Sequence, residues 1–383
     1  MIVIAPDSFK ESLTATKVAT AIAEGINRVK PGTELISIPM ADGGEGTVEA
    51  LITATSGKIV KVPSVDALNR PIESYYGILG DGKTAIIEMA ATSGIEQLSA
   101  NERNPLITST FGTGILLKAA LDNGFKEIII GIGGSATNDG GTGMAQALGF
   151  KLLDEAGDPI GLGGNSLHKL HRIDFSNVHP LLASAKITVA CDVQNTLTGP
   201  SGATRVYGPQ KGATPEMIEI LEEGMIHYSK IIQHNFRTDF NSIPGSGAAG
   251  GLGAGLLAFC NAKIRPGFEL IAELTGLEQH IKNADLVFTG EGKIDSQTAN
   301  GKTISGLALL CRKHQIPLIA LAGTISGDLK VLYQQGLTAS FSIANQPLSI
   351  DESKKQAANL ISVTTEQIMR VISGTKIARI LTV

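Results

Sequence analysis

The stretch DLVFTG at residues 285–290 decides how the chain is expected to fold. It is followed by a helical pattern at 302–314 and by a second apolar run, PLIALAG at 317–323. Apolar strands that alternate with helices in this way are typical of doubly wound α/β proteins, whose parallel strands are buried on both faces. The beginning of the chain shows the same alternation, with apolar runs at 2–5 and 35–38 separated by a helical pattern. The two ends of the chain therefore predict strands of one parallel sheet.

The segment GILGDGKT at residues 77–84 matches the letters of a phosphate-binding P-loop, yet its context predicts a hairpin. A P-loop works only where a helix follows its lysine, because the N–H groups of that helix hold the phosphates. Here the flanking runs at 72–76 and 85–89 are rich in strand-forming residues. Asp81-Gly82 between them is a strong hairpin signal that favours a type I′ turn. A nucleotide site is therefore expected elsewhere.

The predicted fold class is α/β with two domains. A Rossmann-like doubly wound parallel-sheet domain comprises residues 1–65 and 277–383, and it is split in sequence by an inserted mixed α/β domain at 66–276. A hairpin in the middle of the chain is the reason for predicting the insertion, since a purely parallel sheet contains none. The active site is expected in the cleft between the domains.

Composition excludes several classes of partner. The net charge is only −4, aromatic residues are 4% and Trp is absent, so neither a nucleic acid nor a membrane surface is an expected partner. The three cysteines have no paired spacing, and the apolar N-terminal run is too short for a signal peptide or a membrane span. We expect a cytoplasmic protein that acts on a small molecule. Whether it forms a homodimer stays open.

Four loops combine glycine with acids or hydroxyls where strands are predicted to end, and they are residues 5–14, 40–47, 128–143 and 288–303. Doubly wound folds place their ligands at such strand ends. In the first loop, Lys10 precedes a helix and can meet an anion, or it is an exposed lysine in a capping loop. In the second, Asp42 and Glu45 flank glycines, and a carboxylate there can hold Mg²⁺ or accept a proton.

The third loop, in IIIGIGGSATNDGGTG at 128–143, is the strongest candidate for binding a ligand. It offers several backbone N–H groups, the hydroxyls of Ser135 and Thr137, and the acid Asp139, which suits a phosphate and metal cradle without a lysine of its own. No dinucleotide fingerprint can be read from its glycines. A purely structural loop would rarely need so many glycines.

The remaining candidates are weaker taken one at a time. In the fourth loop Glu291 and Asp295 are expected to follow a buried strand. Asp192 ends another predicted strand, where it is either a metal-binding or catalytic carboxylate or a turn residue. Arg205 and Lys211 lie in one predicted loop and form either an anion clamp or a solvated edge.

Six motifs in register now indicate a family. The chain closely resembles the type I glycerate kinases of bacteria in IAPDSFKESLTA (4–15), ADGGEGTVEAL (41–51), IIIGIGGSATNDGG (128–141), ACDV (190–193), YGPQKGA (207–213) and TGEGKIDSQ (289–297). The resemblance implies a kinase that uses ATP and Mg²⁺ and transfers the γ-phosphoryl group to the 2-hydroxyl of D-glycerate. It also implies two α/β domains, one of them split in sequence around the other.

Roles for single residues follow from the resemblance as hypotheses. The nucleotide phosphates are assigned to Gly133, Gly134, Ser135, Thr137, Asn138, Gly290, Glu291 and Gly292. Asp192 and Glu291 are assigned to Mg²⁺, and Asp42 to the carboxylate that orients or deprotonates the hydroxyl, although Asp42 and Asp192 can exchange roles. The binding of glycerate is assigned to Ser8, Lys10, Arg205 and Lys211. Lys10 is also counted as catalytic.

Three other functions stay open. The same kinase can give 3-phosphoglycerate. A dehydrogenase of 2-hydroxy acids would share the fold, but it should carry a dinucleotide fingerprint, and the near match at 253–258 follows a Gly/Ala loop rather than a strand. A nucleotide-binding regulator without catalysis would need no cluster of acids.

Overall fold

A computed structural model describes residues 1–41, 43–296, 298–299 and 303–374 of the chain. Its strands are β1 (Ile2–Ile4), β2 (Leu35–Ser37), β3 (Lys58–Val65), β4 (Pro71–Ile78), β5 (Thr84–Glu88), β6 (Glu127–Gly131), β7 (Lys151–Leu153), β8 (Arg172–Asp174), β9 (Lys186–Ala190), β10 (Lys263–Arg265), β11 (Leu286–Ile294), β12 (Leu318–Ile325) and β13 (Ala339–Ser342). Its α-helices are α1 (Ala15–Val29), α2 (Thr47–Thr55), α3 (Ala90–Ser93), α4 (Phe111–Asp122), α5 (Thr142–Ala147), α6 (Ala203–Tyr207), α7 (Pro215–Phe236), α8 (Leu252–Cys260), α9 (Gly267–Leu274), α10 (Leu277–Lys282), α11 (Thr303–His314), α12 (Lys330–Gln335) and α13 (Ile350–Ser373).

The chain divides into two compact units. The first contains the described residues of Met1–Ala41, Glu49–Thr55 and Phe268–Val383, and the second contains those of Asp42–Val48 and Ser56–Gly267. These bounds differ from the predicted domain bounds at 65 and 276, because β3 pairs along its whole length with β4 in the sheet of the second unit.

The first unit is built on a parallel sheet of five strands in the order β13-β12-β11-β1-β2. The expectation of a parallel sheet made from both ends of the chain is thereby confirmed. The helix α1 turns an apolar face with Val18, Ile22 and Ile26 into the core of this unit. It packs closely on α13, since a Cβ atom on Gly25 would lie 2.4 Å from the carbonyl oxygen of Ser362.

The second unit is built on a mixed sheet of six strands in the order β10-β9-β6-β5-β4-β3. Strands β5, β6, β9 and β10 are parallel neighbours, whereas β3 and β4 are antiparallel. The mixed character that the hairpin predicted is confirmed. A further antiparallel pair, β7 with β8, was not predicted.

The segment 77–84 is a hairpin between β4 and β5, so the P-loop interpretation fails as expected. The predicted type I′ turn is wrong. Gly82 has a φ of +67°, but Asp81 keeps a negative φ. The Asp81 carboxylate instead accepts hydrogen bonds from the backbone N–H of Lys83 and from the backbone and hydroxyl of Thr84, at 2.6–2.9 Å. These side-chain bonds hold the loop in place of the mirror-image turn.

One strand is longer than its sequence suggested. Glu291 was expected in a loop after a strand, but it lies within β11 and pairs with Ala322 of β12. The glycines on either side of Glu291 had suggested a loop. A Cβ atom on Gly290 would lie 2.7 Å from the carbonyl oxygen of Leu321, so this glycine serves close strand packing.

The three cysteines are buried free thiols. Among the described residues no helix combines the length and the hydropathy that crossing a membrane requires.

Candidate functional site

Four parallel strands of the second unit end in one row. Glu88, Gly131, Ala190 and Arg265 are neighbours in register across β5, β6, β9 and β10. The segments that follow β6 and β9 therefore leave the sheet at the same edge, which is where open α/β sheets bind ligands. Two of the predicted stretches, the glycine loop at 133–141 and Asp192, begin at this edge.

The glycine loop contacts the segment 43–48 through backbone atoms. The N–H of Gly133 donates to the carbonyl oxygen of Gly43 at 3.0 Å, and a Cβ atom on Gly131 would lie 2.5 Å from that same oxygen. A side chain at Gly133 would likewise meet Gly44 at 2.6 Å. The glycines of both motifs are thus explained in part by their packing on each other. The structure thus places the third predicted loop, at 128–143, against Gly43 and Gly44 of the second.

Asp139 uses the N–H groups at the end of the glycine loop. Its buried carboxylate accepts hydrogen bonds from the backbone and hydroxyl of Thr110, at 2.8 and 2.9 Å, and from the N–H groups of Gly141 and Gly143, at 3.2 and 3.3 Å. Burial raises the pKa of Asp139, and these hydrogen bonds oppose the rise. The N–H groups near the start of α5 are therefore occupied by the carboxylate of Asp139. The backbone that stays accessible is that of Gly133, half-buried, and Gly134, exposed.

Lys211 supplies the lysine that the glycine loop lacks in sequence. Only 1% of this residue is exposed, and its Nζ atom donates to Ser135 Oγ at 2.7 Å and to the carbonyl oxygen of Thr137 at 2.6 Å. Burial lowers the pKa of Lys211 to about 7, while the charge of Asp139 opposes the shift. The prediction that this ammonium binds glycerate is untested, but the structure places it within the loop.

Two further side chains hold the loop from the same side. Asn138 Nδ2 donates to Thr204 Oγ1 at 3.0 Å, and the Tyr228 hydroxyl donates to the carbonyl oxygen of Gly140 at 2.8 Å. Gly140 has a φ of +63°, and a Cβ atom there would lie 2.6 Å from the tyrosine ring. The loop is therefore tightly fixed.

Two buried oxygen atoms of the loop stand out. Thr137 Oγ1 and Asn138 Oδ1 have no hydrogen-bond partner among the residues that the structure describes. Both residues are fully buried. Because a buried polar atom without a partner is costly, such atoms mark a place where a bound group or water completes the bonding. The predicted binding residues Thr137 and Asn138 have this property.

The segment 43–48 is anchored by Glu88 at the end of β5. The N–H groups of Gly46 and Val48 donate to the two carboxylate oxygens of Glu88, at 2.9 and 3.2 Å. Glu45 of this segment lies at the surface, where a hydrogen bond to Glu96 raises its pKa to about 7. Asp42, predicted as the catalytic carboxylate, lies outside the described residues.

Asp192 follows β9 and caps a helix. Its Oδ1 atom accepts a hydrogen bond from the N–H of Gly267, the first residue of α9, at 2.8 Å. A carboxylate at a helix N-terminus is favoured by the exposed N–H groups and the helix dipole. This contact gives Asp192 a structural role, and its predicted part in metal binding or catalysis stays a prediction.

Arg205 is already paired. Its two terminal nitrogens donate to the two carboxylate oxygens of Glu219, each at 2.9 Å, and both residues lie at the surface. Of the two earlier interpretations, the geometry favours a solvated edge over an anion clamp. A role in binding glycerate would require Arg205 to leave Glu219.

The predicted residues of the first unit meet where its strand order reverses. The chain runs from β1 to β2 on one side and continues through β11, β12 and β13 on the other. The gap between β1 and β11 is thus the switch point at which doubly wound sheets bind ligands. The segment after β1 follows β11, because the N–H of Asp7 donates to the carbonyl oxygen of Gly290 at 2.8 Å.

Glu291 is the central carboxylate at this switch point. Burial raises its pKa to about 7, and the charges of Asp7 and Asp295 act in the same direction. A hydrogen bond from Thr298 Oγ1 at 2.9 Å and the charge of Lys10 oppose the rise. The structure thus brings together the predicted residues Lys10, exposed, and Glu291.

Two further carboxylates of the first unit, Asp7 and Asp295, lie near enough to Glu291 for their charges to act on it. Asp7, Glu291 and Asp295 repel one another, and a divalent cation would relieve that repulsion. Among the residues that the structure describes, no group of three or more His, Cys, Asp or Glu side chains is placed to hold a metal ion. The predicted binding of Mg²⁺ therefore stays a prediction.

Three residues that organise these loops were not predicted as site residues: Glu88, Thr204 and Tyr228. Their signal in the sequence is weak, because each acts through a buried contact with a distant segment. Asp139 was predicted as the acid of a phosphate and metal cradle, but its buried carboxylate accepts the hydrogen bonds of Thr110, Gly141 and Gly143 and holds the loop.

Comparison with known proteins identifies the family of this arrangement. The model of the glycerate kinase family matches residues 2–373. A glycerate kinase of Halalkalibacterium halodurans is 50% identical over 98% of this chain and 99% of its own length, and a glycerate 2-kinase of Escherichia coli is 47% identical over 97% and 98%. The crystal structure of a Salmonella typhimurium LT2 protein, provisionally assigned as glycerate kinase 2, has a TM-score of 0.87 at 46% identity, covering 98% of each chain.

Proposed function

Because the chain belongs to the glycerate kinase family, we propose that it transfers the γ-phosphoryl group of ATP to the 2-hydroxyl of D-glycerate, giving 2-phospho-D-glycerate and ADP. The observation that carries the proposal is the match to glycerate kinases over nearly the whole chain. The choice of the 2-hydroxyl rests on the Escherichia coli relative, which is a glycerate 2-kinase.

The glycine loop is proposed to hold the nucleotide phosphates. The exposed backbone of Gly134, next to the half-buried Gly133, supports a ligand at this edge of the second unit's sheet. Backbone N–H groups in such a loop suit phosphate oxygens. Because the loop is fixed by Asp139 and Lys211, it needs little rearrangement when the phosphate binds, which favours electrostatic stabilisation of the transferring group.

Asp192 and Glu291 are proposed as ligands of Mg²⁺, which when bound would neutralise charge on the transferring phosphates. Near neutral pH a large fraction of Glu291 is protonated and therefore uncharged, because its pKa is about 7. A nearby cation favours its charged form. Lys10 is exposed at the same switch point and is proposed to bind the carboxylate of glycerate, together with Ser8.

The chemical step needs one proton acceptor. The 2-hydroxyl oxygen forms a bond to the γ-phosphorus, the bond from that phosphorus to the β–γ bridging oxygen breaks, and the bridging oxygen leaves with ADP. The hydroxyl proton passes to a carboxylate, for which Asp42 is proposed. The protein's remaining task is to hold donor and acceptor in line.

The test is incubation with ATP, Mg²⁺ and D-glycerate, with the product assigned by phosphorus NMR. We expect a signal of 2-phosphoglycerate, dependent on each component, and no signal when 3-hydroxypropanoate, which lacks the 2-hydroxyl, replaces D-glycerate. A 3-phosphoglycerate signal would contradict the proposed position. Absence of any phosphorylated product from a folded, ATP-binding protein would contradict the proposed reaction.

A further inference from the structure

We propose that Lys211 is a positioning residue for nucleotide binding, which fixes the glycine loop from beneath and does not contact glycerate. The inference rests on the proposed function only in taking this loop as the site of the ATP phosphates.

The ammonium group of Lys211 is directed into the protein. Both of its described hydrogen-bond acceptors, Ser135 Oγ at 2.7 Å and the carbonyl oxygen of Thr137 at 2.6 Å, belong to the glycine loop. With 1% of the residue exposed, the side chain offers no surface to a ligand arriving from solvent. A lysine that recognises a substrate carboxylate would have to present its ammonium group to the substrate.

A buried lysine is costly, so its retention needs a reason. An uncharged side chain of similar length would fill the same space without the desolvation that lowers the pKa of Lys211. What an apolar side chain lacks is the pair of short donors that joins Ser135 to Thr137. These donors fix the first half of the loop, whereas Asp139 fixes the second half through Gly141 and Gly143.

The segment that carries Lys211 makes two more contacts of the same kind. Thr204 precedes Lys211 in the chain and accepts from Asn138, and Tyr228 follows it and donates to Gly140. Three side chains of one continuous segment, 204–228, therefore reach three successive parts of the loop. The backbone of Gly212 is itself held close, since a Cβ atom there would lie 2.3 Å from the carbonyl oxygen of Arg103. Such an arrangement is a support for the loop.

Support of this kind predicts a particular kinetic pattern. Removing the ammonium group should disturb the loop that holds ATP and leave the binding of glycerate unchanged. A lysine that bound glycerate would give the opposite pattern. The proposal therefore depends on which of the two substrates is affected.

The experiment compares Lys211→Met, Lys211→Arg and a matched control, Lys83→Met, at an exposed hairpin lysine. For Lys211→Met we expect the KM for ATP to rise and kcat to fall, with kcat/KM for ATP lowered by about 10- to 100-fold. The KM for D-glycerate should stay within about 2-fold, because that substrate makes no contact with the changed group. Lys211→Arg, which keeps the donors, should recover part of the loss, and Lys83→Met should match the unchanged protein.

Two results would overturn the proposal. A rise in the KM for glycerate with an unchanged KM for ATP would place Lys211 at the substrate carboxylate, and unchanged kinetics in both Lys211 variants would show that the support is unnecessary. Titration calorimetry with ATP alone separates this inference from the proposed reaction, since it reports loop function even if glycerate is not turned over.

Folding of each variant is checked by circular dichroism. If the Lys211 variants do not fold, Thr204→Val and Tyr228→Phe test the same segment without a change of charge. Both are expected to weaken ATP binding and to leave the KM for glycerate unchanged. An effect on glycerate alone would contradict the proposal.

Discussion

Glu88 holds the backbone of Gly46: the N–H of Gly46 donates to Glu88 Oε1 at 2.9 Å, and Val48 donates to the second carboxylate oxygen. Glu88 is only 2% exposed, so these charge-assisted bonds are shielded from water. The segment after Asp42 is therefore fixed from the end of β5. A carboxylate that forms part of the scaffold in this way differs from one that takes part in the chemistry.

Replacing Glu88 with Gln should destabilise the protein. The amide has one acceptor oxygen, so one of the two N–H groups would face an NH₂ group, at a cost of about 1–3 kcal/mol. Urea unfolding measures this loss, and Glu155→Gln at an exposed position is the control. A variant with unchanged stability would show that the segment does not depend on the charge of Glu88.

Replacing Gly140 with Ala should be strongly destabilising because two effects add. The left-handed φ of +63° costs about 1–2 kcal/mol for an L-residue, and the clash with the ring of Tyr228 costs about 1–3 kcal/mol more. Gly157 is the matched control, since its φ is +90° and no atom lies within 4 Å of a Cβ atom there. Equal losses of stability in the two variants would contradict the role of the Tyr228 contact.

Lys211 should make the free energy of unfolding depend on pH. Its pKa is about 7 in the folded protein against an ordinary value of 10.5, so between these values the unfolded chain binds more protons. Stability should then rise as pH increases from about 7 to about 10.5, with a slope of at most about 1.4 kcal/mol per pH unit for one proton.

The measurement is denaturant unfolding at several pH values for the unchanged protein and for Lys211→Met. The difference in stability between the two should shift in favour of the unchanged protein as pH rises through this window. A difference that is constant with pH would mean that Lys211 keeps its charge when folded.

The variants Asp42→Asn and Asp192→Asn should separate the two carboxylate roles. If Asp42 accepts the hydroxyl proton, Asp42→Asn should lower kcat by about 10²- to 10⁴-fold, and a loss confined to KM would contradict that role. If Asp192 binds the metal, Asp192→Asn should raise the Mg²⁺ concentration needed for half-maximal rate. The fold should survive, because an amide oxygen can still accept from Gly267. Reversed results would exchange the two roles.

Lys83→Ala should leave activity unchanged. Lys83 is an exposed residue of the hairpin loop, where Asp81 holds its backbone N–H at 2.8 Å. Steady-state kinetics with ATP and D-glycerate provide the check. A loss of kcat by orders of magnitude in a folded variant would restore the P-loop interpretation of GILGDGKT.

Local sequence patterns predicted the elements that depend on local chemistry. The apolar runs at 2–5 and 317–323 are the strands β1 and β12 within one or two residues, because apolar patterning acts over a few positions. The extent of β11 could not be predicted. Its glycines resemble a loop in sequence, and only the pairing with β12 makes them a strand.

The candidate site was predictable as a set of loops but not as a set of contacts. Lys211 was recognised as a useful cation, yet its burial beneath the glycine loop depends on residues more than 70 positions away. The same holds for Tyr228, whose contact with Gly140 spans 88 positions. Burial decides whether a lysine meets a ligand or supports a loop, and no local pattern reports it.

The sheet of the first unit has a consequence for synthesis on the ribosome. Its first strand pairs with β11, and the hydroxyl of Thr289 donates to the carbonyl oxygen of Ala5, 284 positions earlier. The N-terminal strand thus leaves the ribosome long before β11, whereas the whole of the second unit's sheet emerges in between. Co-translational folding should therefore begin with the inserted part of the chain, and the parallel sheet of the first unit can be completed only after β11, β12 and β13 have been synthesised.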